Sequence, residues 1–155
     1  AVYRGNDIKA REDMLLGSLF GGLALADAGV GAAHALAYPL GGNYRIPHGL
    51  ANAVLIPHVM EFNLPAAERT MALTAKAMGE SVESLTERWA AEAALDAVRT
   101  LCDDIGIPAG LSELGVPMED IPMLVEGALK VTRPVENNPR KLGPDEAAYI
   151  YEAAF

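Results

Sequence analysis

Three histidines occur in this 155-residue chain, His34, His48 and His58. Thirteen residues lie between the first two. On one unbroken helix those two would stand about 21 Å apart, too far to share one metal ion. The run Pro39-Leu40-Gly41-Gly42-Asn43 lies between them. Proline disfavours helical geometry before it, and glycine permits a tight reversal. A chain that doubles back at this corner could bring two imidazole nitrogens to one cation, each at about 2.0–2.2 Å. Spacing alone leaves the choice open, because two histidines in a helical protein are more often surface groups or satisfied core residues. His58 follows His48 by ten residues, about 15 Å along a helix, and reads as a hydrogen-bonded structural group.

The elements that would carry these side chains read as helices throughout. Period-2 alternation is absent and helix formers dominate, which gives an all-α fold class. A first helix is predicted over Ile8–Asp27, with Leu16, Leu19, Phe20 and Leu23 on one apolar face. Glu12 and Asp13 near its start complement the positive helix end. The stretch Met14–Gly42 is long and apolar and contains a GxxxG at Gly17 and Gly21, but Asp27 and His34 interrupt it. It reads as a central buried helix with close backbone contacts, since a membrane span needs about 20 unbroken apolar residues. A short helix over Ala32–Tyr38 is expected to stop at Pro39. Further helices are predicted over His48–Asn63, kinked at Pro57, and Pro65–Met78. Another covers Val82–Ile105, with Leu85, Trp89, Leu95, Val98, Leu101, Cys102 and Ile105 as its buried stripe. Two more cover Glu119–Val131 and Pro144–Ala154, and Thr132–Gly143 reads as a loop. The simplest organisation is a single helical domain over residues 1–155.

Composition excludes several partners. A net charge of −9 and a pI near 4.7 argue against nucleic acid and against anionic membranes. Cys102 is the only cysteine, so no internal disulfide forms, which fits a reducing cytoplasm. Its place on a helical pattern makes it a small buried hydrophobe. Ala1–Asp7 lacks the basic-then-apolar layout of a signal peptide, and the absence of a starting Met fits a fragment or a processed product.

The residues around the two histidines narrow the reading. The run Gly31-Ala-Ala-His34-Ala-Leu-Ala-Tyr38-Pro-Leu-Gly-Gly42-Asn-Tyr-Arg-Ile-Pro-His48-Gly-Leu-Ala-Asn52-Ala-Val-Leu-Ile-Pro-His58-Val-Met-Glu-Phe-Asn63 closely resembles the signature of iron-containing (group III) alcohol dehydrogenases. The resemblance continues through Ile105-Gly-Ile-Pro108, Met118-Glu-Asp-Ile-Pro122, Asn138-Pro-Arg140 and Tyr151-Glu-Ala-Ala, and so covers essentially the whole chain. It implies the C-terminal helical bundle of the dehydroquinate synthase-like fold, a metal-binding domain. An N-terminal α/β domain that binds NAD(P) is absent from this chain.

By the same resemblance, the family's metal is Fe²⁺ or Zn²⁺, held by an Asp and a His on one helix and two later histidines. The later pair maps onto His34 and His48. Nothing in Ala1–Asn6 matches the Asp/His pair. The implied function is a metal-dependent, NAD(P)-linked alcohol dehydrogenase or aldehyde reductase acting on a small alcohol or aldehyde. This chain alone is then inactive, and a homo-oligomer is expected. Tyr38 occupies a position where many relatives have a second histidine near the nicotinamide. A phenol is the poorer proton shuttle at neutral pH, and packing in the cleft wall is an equal reading. Arg140 could meet a cofactor phosphate or a substrate, and Asp27 is a remote candidate for a substitute carboxylate. Two alternatives stand beside this reading: an isolated, inactive helical module that self-associates, and a maleylacetate reductase, glycerol dehydrogenase or dehydroquinate synthase-like relative. Pro47-His-Gly-Leu-Ala-Asn52 fits alcohol dehydrogenases better.

Overall fold

A computed structural model describes all residues from Ala1 to Phe155. It is all-α, with seven helices and two short 3-10 turns. The helices are α1 (Ile8–Ala28), α2 (Ala32–Tyr44), α3 (His48–Met78), α4 (Glu87–Asp104), α5 (Ile121–Leu129), α6 (Thr132–Glu136) and α7 (Pro144–Ala153). The 3-10 turns are Leu111–Leu114 and Met118–Asp120. The chain divides into two compact units, Ala1–Val30 and Gly31–Phe155.

The first unit is α1 with its leader. The Asp7 carboxylate caps it by accepting from the Ala10 N–H at 3.0 Å, and Gly29 closes it with φ 73°. Asp7 thus does the work expected of Glu12 and Asp13 at the positive end. The expected burial of this helix is not found. None of its residues is buried, and Met14, Leu15, Leu19, Phe20 and Leu23 are all exposed. Nor do Gly17 and Gly21 mark a close approach, because a Cβ at either meets nothing within 4 Å. An apolar pattern reports a surface that favours cover; it does not supply the covering partner. No single helix is long and apolar enough to cross a membrane.

The second unit holds the main core. Leu36 and Leu40 of α2, Leu55 of α3, Leu124 of α5, and Ile150 and Tyr151 of α7 are fully buried in it. The Tyr151 hydroxyl donates to the Leu36 carbonyl at 2.7 Å, and burial pushes its pKa far above the usual tyrosine range. A smaller core joins the second half of α3 to α4, where Leu64, Met71 and Ala75 meet Ala91, Ala94 and Leu95. The buried face of α4 is therefore mostly alanine, with Leu95 its one large buried side chain. Of the expected stripe, Leu95 is buried and Val98 and Cys102 are half-buried, while Leu85, Trp89, Leu101 and Ile105 are exposed.

Two helix boundaries differ from expectation in ways that matter for the site. Helix α2 does not stop at Tyr38. It runs through Pro39 to Tyr44, so Gly41 and Gly42 are helical. An interior proline removes one backbone bond and crowds the preceding turn. Several neighbours stabilise that turn: Tyr151 bonds the Leu36 carbonyl, and the Asn43 amide donates to the Pro39 carbonyl at 2.9 Å. Gly127 lets α5 approach, since a Cβ there would lie 3.0 Å from the Pro39 side chain.

The reversal comes later, at Arg45, which holds the left-handed conformation at φ 58° and ψ 25°. That conformation costs a non-glycine residue roughly 1–2 kcal/mol. Burial of Ile46, beside Arg45, offsets part of that cost. The Tyr44 hydroxyl donates to the Asp120 carboxylate and anchors the end of α2. Burial and that bond push the Tyr44 pKa up to about 12. The second boundary is α3, one element through both Pro57 and Pro65, with its break at Ala67 (φ −134°, ψ 20°).

Candidate metal centre

His34 is the third residue of α2, and its N–H bonds the Gly31 carbonyl at 3.2 Å in the first turn. His48 is the first residue of α3, directly after Pro47. The reversal at Arg45 turns α3 back, so the two rings meet. Their centroids lie 5.0 Å apart with planes at 54°. His34 Nδ1 and His48 Nε2 are 3.1 Å apart.

That separation can be compared with what one ion requires. Two nitrogens each about 2.05 Å from a cation lie roughly 2.9 Å apart at a right angle and 3.4 Å apart at the tetrahedral angle. The observed 3.1 Å falls inside that range. Burial, and then the neighbouring His48, hold the His34 pKa below the usual histidine value. The neutral imidazole, with its lone pair available, is therefore favoured. The donor set thus fits two of the ligands of an Fe²⁺ or Zn²⁺ site. No third His, Cys, Asp or Glu joins them in a cluster.

Two residues frame the pair. Tyr38, one turn beyond His34, stacks on the His48 ring at 5.7 Å between centroids and 24° between planes. It is 46% exposed, so its phenol is open to a ligand. Asn52 stands one turn after His48. Its Nδ2 donates to the His48 carbonyl at 2.9 Å and lies 3.2 Å from His48 Nε2. Its Oδ1 is buried without a partner. Sequence reading assigned Asn52 no role, although four-residue spacing on a helix is a usable signal for contact.

Arg140 and His58 lie apart from the pair. Arg140 donates to the Phe62 carbonyl and lays its guanidinium 4.0 Å from the centre of the Phe62 ring. The cavity it lines, about 370 Å³, also carries Glu61, Asp145 and Glu146. Three carboxylates make that cavity unfavourable for a cofactor phosphate. Asp27 is exposed on α1.

His58 faces a separate pocket of about 230 Å³ with Arg99, Cys102 and Asp103. Burial first and Arg99 second lower its pKa from 6.5, and Glu61 partly opposes them. The folded state therefore resists protonation that the unfolded chain accepts. Stability should be full above about pH 6.5, decline as pH falls through that value, and level off below the depressed folded-state value. Urea midpoints measured from pH 7.5 to 5 are expected to fall, and less steeply in His58→Gln. An unchanged slope in that variant would exclude His58 as a source. Cys102 is half-buried, with Sγ 3.8 Å from the Ala53 carbonyl, and burial raises its pKa, which fits a packed thiol.

Comparison with known proteins decides the family. The family described as Fe-containing alcohol dehydrogenase, C-terminal, matches residues 1–155. This chain belongs to the iron-containing alcohol dehydrogenase family. It is 46% identical over 155 residues to 1,3-propanediol dehydrogenase of Citrobacter freundii, covering 100% of this chain and 40% of that protein. It is 37% identical over 155 residues to NAD-dependent methanol dehydrogenase of Bacillus methanolicus, again 100% of this chain and 40% of the relative. The crystal structure of a 1,3-propanediol oxidoreductase superposes with a TM-score of 0.93 at 45% identity, over 97% of this chain and 39% of that one. The all-helical fold is thus that of the family's C-terminal domain. The chain spans about 40% of the length of the curated relatives it matches.

Proposed function

We propose that this chain is the metal-binding helical part of an NAD(P)-linked alcohol dehydrogenase or aldehyde reductase, with His34 and His48 as two ligands of a divalent cation, Fe²⁺ or Zn²⁺. The observation that carries this reading is the 3.1 Å approach of their ring nitrogens. When bound, such a cation supplies Lewis acidity to the oxygen of an alcohol or aldehyde. The chain's own part is positioning. The first turn of α2 and the reversal at Arg45 hold the two imidazoles facing each other. Tyr38 packs against His48 and presents an exposed hydroxyl, able to hold a proton or a substrate oxygen by a hydrogen bond. The nucleotide is assigned to a further N-terminal domain, and the other ligands to residues upstream of Ala1.

A second reading, an inactive helical module, has the donor count in its favour, because two imidazoles alone make a weak site. Both readings meet in one assay. NAD- and NADP-linked oxidation of short alcohols and diols is measured with the intact parent enzyme and with this chain alone. The proposal expects turnover in the parent enzyme, its loss in His34→Ala and His48→Ala, and none from the chain alone. Parent turnover that survives both substitutions would overturn it.

A further inference from the structure

Helix α2 begins at Gly31, a cap residue with no side chain to offer, yet its first turn carries His34. The first four N–H groups of any helix need outside partners, usually a Ser, Thr, Asp or Asn side chain at the cap. Here the oxygen comes from far along the chain: Asn138 Oδ1 accepts from the Ala32 N–H at 3.3 Å. The same amide forms a reciprocal pair with the buried Asn63 of α3. Asn63 Nδ2 donates to Asn138 Oδ1 at 2.9 Å, and Asn138 Nδ2 donates to Asn63 Oδ1 at 2.7 Å. A fourth bond runs from Asn138 Nδ2 to the Arg140 carbonyl at 2.8 Å. Arg140 in turn bonds the Phe62 carbonyl. The two acceptor positions and two donor hydrogens of the Asn138 amide are thus all used.

We infer that Asn138 is the positioning residue of the two-histidine site, a remote cap that locks the His34 turn of α2 to α3. The inference rests on the metal reading for its function, but the lock itself is a statement about geometry. Ala32 is two residues before His34 in one turn, and Asn63 lies on the same helix as His48. A loop amide spent on both helices fixes them relative to each other, so the rings keep their separation without an ion to pull them together. Any carboxamide substitute must match both acceptor contacts and both donor contacts. A methyl group matches none, and a carboxylate keeps only the acceptor half.

The test uses the full chain, metal-free and with Zn²⁺. The ring protons of three histidines are resolvable by NMR, and His58→Gln identifies the third. The wild type is expected to show a nuclear Overhauser contact between the His34 and His48 rings. Asn138→Ala should lose that contact and weaken Zn²⁺ binding about 10- to 100-fold by calorimetry, the range for residues that orient a ligand. Asn138→Asp should show a smaller loss in both, and serves if the alanine variant fails to fold. Thr86→Ala, which removes the α4 cap that accepts from Trp89, is the control for general destabilisation. It should leave both readouts at wild-type values. Equal effects in Thr86→Ala and the Asn138 variants, or Asn138 variants that keep the ring contact and the affinity, would overturn the inference. A ring contact that depends on Asn138 in a chain that binds no Zn²⁺ would uphold the lock and remove the metal reading instead.

Discussion

Replacing His48 with alanine is expected to lower Zn²⁺ affinity more than about 100-fold, the upper range for residues that merely support a ligand. The reasoning is local. The chain gathers two imidazoles and no further donor cluster, so removing one leaves a single imidazole as the only donor. His34→Ala should match it, and the double variant should be little worse than either, because the two act as one unit. His58→Ala is the internal control, since His58 faces its own pocket with Arg99 and Asp103. It should leave Zn²⁺ affinity within about twofold of wild type, the scatter expected for a distant, independent site. Chelator competition at pH 7.5 reads all four variants. Equal losses in the His58 and His48 variants would mean that binding is nonspecific.

Leu36→Ala is expected to cost about 2–5 kcal/mol, read as a shift of the urea midpoint at constant slope. Leu36 is fully buried in the main core, and its carbonyl receives the Tyr151 hydroxyl. It also sits between His34 and Tyr38 on the helix that positions both. A domain is typically stable by about 5–15 kcal/mol, so this one truncation removes a large share. Loss of ring order at His34 should accompany it. A cost below about 1 kcal/mol would place α2 outside the cooperative core.

Much of this was legible in the residues, for identifiable reasons. The His34 to His48 run was readable because its chemistry is local: two imidazoles, a helix start at each and a reversal between. The place of the reversal was not. Proline and glycine at Pro39–Gly42 are the ordinary markers of a turn, yet they lie inside α2. The Tyr151 bond and the Gly127 approach that accommodate Pro39 come from residues about a hundred positions away. The chain turns instead at Arg45, a residue type that rarely adopts left-handed geometry. No local rule would have chosen it.

Helix α1 fails differently. Its leucines and phenylalanine signal burial, but every one is exposed. Periodicity identifies a surface that needs cover and says nothing of what provides it. On α4, Ala90, Ala91 and Ala94 are small enough to bring helices together, so they are buried while Trp89 is 62% exposed. A search for large apolar residues finds buried Leu95 but also selects the exposed Trp89 and Leu101. Asn138 carries no local signal of its role, because its partners Ala32 and Asn63 lie 106 and 75 residues away. The charge of Arg140 is visible in sequence and suggests a ligand contact, whereas its packing on the Phe62 ring is not visible there.

The most direct measurement is X-ray absorption at the zinc edge on the Zn²⁺-loaded chain. Two imidazole rings with nitrogens at about 2.0–2.1 Å are expected, falling to one in His48→Ala. A spectrum of oxygen neighbours alone, unchanged by either histidine substitution, would contradict the proposed centre.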